Sequence, residues 1–174
     1  MKIGIITHWK DNDNYGAALQ SYALQRYLRN LGHDAYVIRY YQIADKLSIG
    51  EKLLLVLKNP FLPFKLYKSR RKVDNSTEWN KKRDFQSFRN KHIVYSNKEY
   101  HGLDEVSADY PVAELYITGS DQVWHNPLTN RHSWPYFLCF GNKETKRVSY
   151  AASFGRNYFP CVDEKKFKEL LSTF

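Results

Sequence analysis

The sequence predicts an α/β fold, a Rossmann-like and mainly parallel sheet with flanking helices. One observation behind this prediction is the order of the first elements. A strand, a helix and a strand joined by short connections form a βαβ unit, whose crossover is right-handed. A second is that two of the strands are almost entirely apolar, as expected where helices cover both faces of a parallel sheet. A third is the length of 174 residues with 43% hydrophobic residues, which gives one domain a real core.

The first βαβ unit is predicted near the start of the chain. Lys2–Thr7 is almost wholly apolar and predicts the first strand, and His8–Asn14 predicts the loop after it. Tyr15–Leu31 predicts a helix, because apolar side chains recur there at spacings of three and four, and Gly32 supplies its end. Asp34–Tyr41 predicts the second strand. The apolar stripe of the helix consists of Leu19, Tyr22, Ala23, Tyr27 and Leu31.

The later elements follow from the same two periodicities. Helices are expected at Lys46–Lys58, Glu78–Asn90 and Asp163–Leu171. Strands are expected at Pro111–Thr118, Pro135–Phe140 and Arg147–Phe154. Because the last helix gives the chain no natural close, we expect residues 1–174 to form an N-terminal Rossmann-like domain, with a second domain beyond this chain.

The net charge favours an anionic partner. With 27 basic and 18 acidic residues the chain carries +9, which suits a phosphorylated substrate, a membrane surface or a nucleic acid. The basic run Lys65–Lys72 follows the apolar residues Phe61, Leu62 and Phe64, so we expect peripheral contact with an anionic membrane there. A solvated surface helix is the alternative. Nucleic acid is not expected, because no helix-turn-helix or RNA-recognition signature accompanies the run.

The cysteines and the hydropathy predict a cytoplasmic protein. Cys139 and Cys161 are too few for a disulfide framework and form no CxxC pair, so we expect reduced thiols. The start of the chain lacks the long apolar stretch of a signal peptide. The longest aliphatic run, Leu53–Leu57, is far shorter than the ~20 residues of a spanning helix, which limits any membrane contact to the periphery.

The loop after the first strand is a candidate binding site. Asn14, Tyr15 and Gly16 stand at a helix start, where free backbone N–H groups and the helix dipole favour an anion or a sugar hydroxyl. Gly16 allows close approach of the backbone, and Gln20 lies one turn further on. Ligands of open α/β sheets sit beyond the carboxyl ends of strands, where this loop falls. The alternative is that Asn14 is an ordinary N-cap. No GxGxxG is present, so a dinucleotide fingerprint is not supported.

A second polar loop occupies the matching position after a later strand. Gly119 is followed by Ser120, Asp121 and Gln122, so both loops are expected at one edge of the sheet. The Asp121 carboxylate can orient a hydroxyl or take its proton. The alternative is that Ser120 or Asp121 only caps a short helix. Trp124 can stack on a sugar ring or fill the core.

A third polar exit follows the last predicted strand. Ser149 and Ser153 lie in the segment VSYAASFG and are candidates for the same rim. The small residues Ala151 and Ala152 favour the alternative, in which this segment only permits tight packing.

The histidines predict no metal site. His125 and His132 stand seven residues apart with no third ligand nearby, so zinc is not expected. His8 has the best position of the six histidines for a role in the site, with a solvated loop histidine as the alternative.

Three segments together resemble the polysaccharide pyruvyl transferase family. They are NYGAALQSYALQRYL after the first strand, ITGSDQVW after a middle strand and RVSYAASFG after a later one, and FQSFRNKHIVYSNKEY between them also fits. The resemblance runs along nearly the whole chain. Because family members are considerably longer, it implies that this chain is the N-terminal half of a two-domain architecture like that of the GT-B glycosyltransferases.

The resemblance implies a reaction and a set of roles. A pyruvyl group passes from phosphoenolpyruvate, the co-substrate, to two hydroxyls of a sugar, which forms a ketal and releases phosphate. No cofactor or metal is expected. The acceptor is a saccharide, either free or lipid-linked, that serves the synthesis of a cell-surface or capsular polysaccharide. Asp121 is our choice for the base, and the expected acceptor contacts are Asn14, Tyr15, Gly16, Gln20, Ser120, Gln122, Trp124 and Ser153.

The cationic residues for phosphoenolpyruvate are expected in the second half, so the isolated domain is expected to be inactive. Two alternatives stay open. One is a GT-B-like glycosyltransferase that uses a nucleotide sugar, and the other is a non-catalytic saccharide- or membrane-associated module.

Overall fold

A computed structural model of the chain describes residues 1–10, 14–43, 57, 84–125, 130–155 and 164–174. The described strands are β1 (Lys2–Ile6), β2 (Asp34–Tyr41), β3 (Tyr95–His101), β4 (Leu115–Asp121) and β5 (Lys146–Ala152). The described helices are α1 (Tyr15–Asn30), α2 (Phe85–His92), α3 (Gly102–Ala108), a 3-10 helix (Arg131–Phe137) and α4 (Glu164–Leu171). Apart from Leu57, the predicted helix Lys46–Lys58 lies outside the described residues, as do the basic run Lys65–Lys72 and Cys161.

The five strands form one parallel sheet in the order β3-β2-β1-β4-β5. This confirms the predicted α/β, Rossmann-like class with flanking helices. The chain first runs outward from β1 through β2 to β3, then returns to place β4 on the other side of β1. The strand order therefore reverses between β1 and β4, where Ile6 stands opposite Thr118. Open α/β sheets bind ligands at such a switch point, beyond the carboxyl ends of the strands.

The sheet is packed on both faces. On the face covered by α1, here called the α1 face, Ile3 and Ile5 of β1 pack in one core cluster with Leu24 of α1. On the opposite face, Ile6 belongs to a second cluster that contains Phe137 of the 3-10 helix. Neighbouring residues of β1 thus enter different clusters, because side chains of a strand alternate between its faces. Burial on both sides explains the apolar sequence of this strand.

Helix α1 contacts the sheet mainly through small and polar residues and Leu24, and of the predicted stripe Tyr22 packs against the core on this face. Its buried residues are Ala17, Ala18, Ser21, Leu24 and Gln25. Leu19 is 51% exposed and Tyr27 is 63% exposed. The alanines let the helix approach the strands closely. The Gln25 amide accepts a hydrogen bond from Val94 N–H at 2.9 Å and donates one to the Val94 carbonyl, so its burial is compensated.

One predicted strand is wrong. Pro135–Phe140 was expected to be extended, but Arg131–Phe137 forms the 3-10 helix. Asn130 begins this helix by accepting a hydrogen bond from His132 N–H at 2.9 Å, and Pro135 has no N–H to give to a strand ladder. The helix ends at Leu138, which adopts the left-handed conformation with φ of +58°. The segment is apolar because it is buried against the sheet. An apolar run of this length does not distinguish a buried strand from a buried 3-10 helix, which is why the prediction failed.

The sequence prediction missed β3 and α3. The letters of β3, YSNKEYH, are mostly polar, and this strand lies at an edge of the sheet where it pairs only with β2 among the described residues. Its buried residues include Ser96, whose hydroxyl accepts a hydrogen bond from Arg39 N–H at 3.0 Å. The other predicted elements that can be compared agree with the structure, although β4 begins four residues after the predicted start at Pro111.

The turn between the 3-10 helix and β5 is organised by one side chain. The Arg147 guanidinium donates hydrogen bonds to the carbonyl oxygens of Leu138, Phe140, Asn142, Lys143 and Thr145. Because the planar guanidinium presents five donors in a fixed arrangement, one residue can hold the whole turn. Arg147, the first residue of the third segment in the family resemblance, therefore has a structural role.

Four tyrosines give the fold a predicted alkaline limit. Burial raises the pKa of Tyr116 and of Tyr95 to about 12, and it also raises the pKa of Tyr36 and of Tyr100. Unfolded tyrosines lose their protons near pH ~10, while these folded ones keep theirs. The unfolding free energy should therefore be unaffected by them below about pH 10 and fall between about pH 10 and 12.

A titration of phenolate absorbance checks this expectation. In the folded chain a fraction of the 14 tyrosines should titrate only at the higher pH, and in denaturant all should titrate together. A single transition near pH ~10 in both conditions would contradict the prediction.

Candidate active site

Three polar strand exits lie at one edge of the sheet. β1, β4 and β5 are neighbours and parallel, so their carboxyl ends point the same way. Thr7 and His8 follow β1, Asp121 ends β4, and Ser153 follows β5. The structure thus brings the three predicted exits to a common edge, beside the point where the strand order reverses.

The exit of β1 is fixed by Gln20 of α1. Its amide nitrogen donates to the Thr7 hydroxyl oxygen at 2.8 Å and to the His8 carbonyl at 3.2 Å. Its amide oxygen is buried and accepts no hydrogen bond from any residue that the structure describes. Gln20 therefore ties the helix to the strand end and retains an acceptor suited to a hydroxyl donor. The sequence predicted Thr7 only as the last residue of the first strand. Its polar side chain at the end of an apolar run was the feature that could have marked it as part of this edge.

The N-terminus of α1 is capped by the side chain of Asn14. Asn14 accepts a hydrogen bond from Ala17 N–H at 3.1 Å, as the capping alternative predicted. A Cβ on Gly16 would lie 3.1 Å from the Asn14 side-chain oxygen, so the glycine leaves room for the cap. Tyr15 is 58% exposed, and its ring contacts Phe85 with 4.9 Å between centroids. These residues rim the edge, and their substrate contacts stay a prediction.

The exit of β4 depends on a glycine. Gly119 has φ of +110°, and a Cβ there would lie 2.2 Å from the carbonyl oxygen of Tyr150 on β5. Past this point Asp121 accepts a hydrogen bond from Gln122 N–H at 2.7 Å through its carboxylate. Asp121 is partly exposed as a residue, and one of its carboxylate oxygens is held by this hydrogen bond.

The exits of β4 and β5 are joined through their backbones. Ser153 N–H donates to the Asp121 carbonyl at 2.9 Å, and Trp124 N–H donates to the Ser153 carbonyl at 3.1 Å. The Ser153 side chain is exposed, and its hydroxyl lies 3.5 Å from the same Asp121 carbonyl. Asp121 and Ser153, chosen independently from the sequence, are therefore adjacent.

Trp124 is a core residue in this structure. It is only 9% exposed, and its ring stacks on Phe137 with 5.2 Å between centroids and an interplanar angle of 15°. Phe154 packs against the Trp124 ring as well. The indole N–H of Trp124 donates to the Tyr136 carbonyl at 3.0 Å. The ring is thus packed against aromatic side chains, which favours the alternative that Trp124 fills the core, and a substrate contact of Trp124 stays a prediction.

A cavity opens between α1 and β5 on the α1 face. Its volume is about 650 Å³, and Gln20 and Ser120 line it together with Tyr27 and Tyr150. Of the predicted substrate-binding residues, Gln20 and Ser120 thus share one cavity, while Asp121 and Ser153 share the strand ends.

The described residues offer no metal centre. Among them, no three His, Cys, Asp or Glu side chains are grouped so that they can hold an ion. Burial raises the pKa of the Cys139 thiol to about 11, so this cysteine stays protonated at neutral pH and is a poor nucleophile. None of the helices within the described residues has the length and apolar character needed to cross a membrane.

The fold and the edge together define a class of protein. It is an α/β protein with a parallel sheet and polar residues at the carboxyl ends of its strands, beside the switch point of the strand order. The sequence model of the polysaccharide pyruvyl transferase family matches residues 14–174, and the chain belongs to this family. This confirms the resemblance found in its sequence segments. No curated protein and no solved structure matches the chain.

Proposed function

We propose that the protein transfers a pyruvyl group from phosphoenolpyruvate to two hydroxyls of a saccharide, which forms a ketal and releases phosphate. The acceptor is a precursor of a cell-surface or capsular polysaccharide, in free or lipid-linked form. Phosphoenolpyruvate is the co-substrate, and the proposal includes no cofactor. A second, GT-B-like domain completes the cleft and supplies the cationic groups that hold the phosphate and carboxylate.

One observation carries this proposal: in a chain from this family, the partly exposed Asp121 and Ser153 are joined through their backbones at the carboxyl-end edge of the sheet. Ketal formation needs a base that accepts hydroxyl protons and groups that orient the hydroxyls. Asp121 serves as the base, and Gln20, Ser120 and Ser153 serve as orienting contacts.

The proposal also assigns a location in the cell. The protein works in the cytoplasm, with the Lys65–Lys72 run in contact with anionic lipid and with no nucleic acid as partner. The motivating observation is the run of basic and apolar residues in the sequence. Equal binding of anionic vesicles after charge reversal of this run would exclude the contact.

The reaction class is tested by incubating the intact natural protein with phosphoenolpyruvate and a panel of nucleotide-linked and lipid-linked sugars. The expected result is phosphate release that depends on one acceptor, with a matching pyruvate ketal in the mass spectrum. Release of a nucleoside diphosphate from a nucleotide sugar, without consumption of phosphoenolpyruvate, would instead establish the glycosyltransferase alternative. Binding of a saccharide without turnover would establish the non-catalytic one.

The role of Asp121 is tested by Asp121→Asn in the intact protein. We expect kcat for phosphate release to fall by about 100-fold or more, because the amide cannot take a proton. Asparagine keeps the size and the side-chain oxygen that accepts from Gln122 N–H, so the unfolding free energy should change little. Asp104→Asn is the matched control, since Asp104 is an exposed carboxylate paired with Arg131. Turnover of Asp121→Asn within a few-fold of wild type would show that Asp121 is not the base.

A further inference from the structure

A histidine and a buried tyrosine meet at the end of the central strand. The Nδ1 atom of His8 lies 3.4 Å from the hydroxyl oxygen of Tyr136, and the ring centroids are 5.0 Å apart. This distance is long for a hydrogen bond, as is common at catalytic contacts before substrate binds. His8 is partly exposed at the strand-end edge, while Tyr136 is 1% exposed.

The core holds Tyr136 in place from two directions. Its carbonyl accepts the indole N–H of Trp124 at 3.0 Å, and its ring meets Tyr40 edge-on with 5.6 Å between centroids. The His8 backbone is fixed as well, because Gln20 donates to its carbonyl. The imidazole is therefore attached to a fixed backbone and rests against a fixed phenol, which is the kind of support that a proton-transfer group needs.

The strand pairing puts the end of β1, which His8 follows, next to the end of β4, which carries the candidate base. Ile6, the last residue of β1, stands opposite Thr118 in the β1–β4 pairing. His8 comes two residues after Ile6, and Ser120, the neighbour of Asp121, comes two residues after Thr118. The Thr118 hydroxyl oxygen is fully buried and has no hydrogen-bond partner among the residues described, which adds an uncommitted polar atom near this strand end. An acid–base residue at this location complements a carboxylate base.

We propose that His8 is the acid that delivers a proton to C3 of phosphoenolpyruvate, and that Tyr136 is its positioning residue. This inference rests on the proposed function. Ketal formation converts a methylene carbon into a methyl group, and a carboxylate base does not supply that proton at neutral pH. Imidazole is the side chain whose ordinary pKa lets it act as an acid and then as a base near neutrality.

The protons balance over one turnover. The His8 imidazolium gives its proton to C3 as the first acceptor oxygen bonds to C2, and Asp121 takes the proton of that hydroxyl. The C2–O bond to phosphate then breaks with its electron pair, and Asp121 passes its proton to the leaving phosphate. The second hydroxyl bonds to C2 and gives its proton to the now neutral His8. Both side chains return to their starting forms, and no further reactant is needed.

The test of His8 uses His8→Gln and His8→Gly in the intact natural protein with an accepted saccharide. We expect His8→Gln to lower kcat by about 100-fold or more and added imidazole to restore a measurable part of the activity of His8→Gly. A residue with only a structural role would not be rescued by imidazole. His33→Gln, at the opposite edge just before β2, is the matched control and should keep wild-type turnover.

The test of Tyr136 is Tyr136→Phe, which removes only the hydroxyl. We expect kcat to fall about tenfold with the KM for phosphoenolpyruvate nearly unchanged, since a hydrogen bond worth a factor of ten orients the acid. Nitrogen NMR of the His8 ring should show a changed tautomer ratio in this variant, a readout that does not require turnover.

The outcomes separate the inference from the proposed function. Wild-type turnover together with His8→Gln activity within fivefold would overturn the role of His8 and leave the pyruvyl transfer standing. Loss of activity in His8→Gly without imidazole rescue would also overturn it. An unchanged His8 tautomer ratio in Tyr136→Phe would remove Tyr136 from the mechanism. A wild-type protein that consumes no phosphoenolpyruvate with any acceptor would overturn both proposals together.

Discussion

Gly119→Ala is expected to lower the unfolding free energy by about 3 kcal/mol or more, because two costs fall on the same residue. The backbone there has φ of +110°, which alanine rarely adopts. The added Cβ would also lie 2.2 Å from the Tyr150 carbonyl oxygen and 3.0 Å from the Ala152 nitrogen. These atoms belong to the β5 backbone, so they can move away only by breaking the β4–β5 pairing. Urea unfolding of the chain measures the effect.

The matched control is Gly32→Ala. Gly32 also has a positive φ, +86°, but an added Cβ would meet no atom within 4 Å. Gly32→Ala should therefore lower the unfolding free energy by about 1 kcal/mol, which is the cost of the positive φ alone. Equal losses for the two substitutions would show that the close approach of β5 to Gly119 does not matter. In the intact enzyme Gly119→Ala should also lower turnover, because Asp121 lies two residues further along the same strand.

Trp124→Ala is expected to cost about 4 kcal/mol of unfolding free energy, the range measured for removing a large buried aromatic side chain. The substitution leaves a cavity beside Phe137 and Phe154 and leaves the Tyr136 carbonyl without its indole donor. Calorimetric or urea unfolding of the chain gives the number.

Trp124→Phe separates the two contributions of this residue. It keeps most of the ring and loses the hydrogen bond, so about 1–2 kcal/mol is expected from the unpaired carbonyl and the smaller ring. If Trp124→Ala instead left stability unchanged and raised the KM for the acceptor, the tryptophan would be a binding residue and its packed position would be irrelevant to function.

The elements that the sequence predicted best have apolar patterns caused by burial on both faces. β1 and β2 are covered on two sides, and Gly32 follows the end of the helix between them, so strand, helix and strand were each evident. β3 could not be found in this way, because an edge strand needs fewer apolar residues and YSNKEYH has few. The 3-10 helix was mistaken for a strand because a short apolar run has the same composition in either state.

The sequence predicted where the candidate site lies better than what each residue does there. Polar residues after apolar runs located Asp121 and Ser153 at one edge, because parallel strands bring such positions together. The packing of Trp124 on Phe137 and the contact of His8 with Tyr136 depend on side chains far along the chain, which spacing alone does not reveal. The buried side of α1 was missed for a similar reason, since alanine and glutamine become core residues only against a particular partner.

The hydrogen bonds that join the exits of β4 and β5 have a consequence for how this family can diversify. Ser153 N–H to the Asp121 carbonyl, and Trp124 N–H to the Ser153 carbonyl, are bonds between backbone atoms, so they persist whatever side chain position 153 carries. The alignment of the two strand ends and the identity of the side chain at position 153 are thus independent of each other. The side chain at position 153 can therefore be exchanged while the two loops keep their alignment and the sheet keeps its pairing.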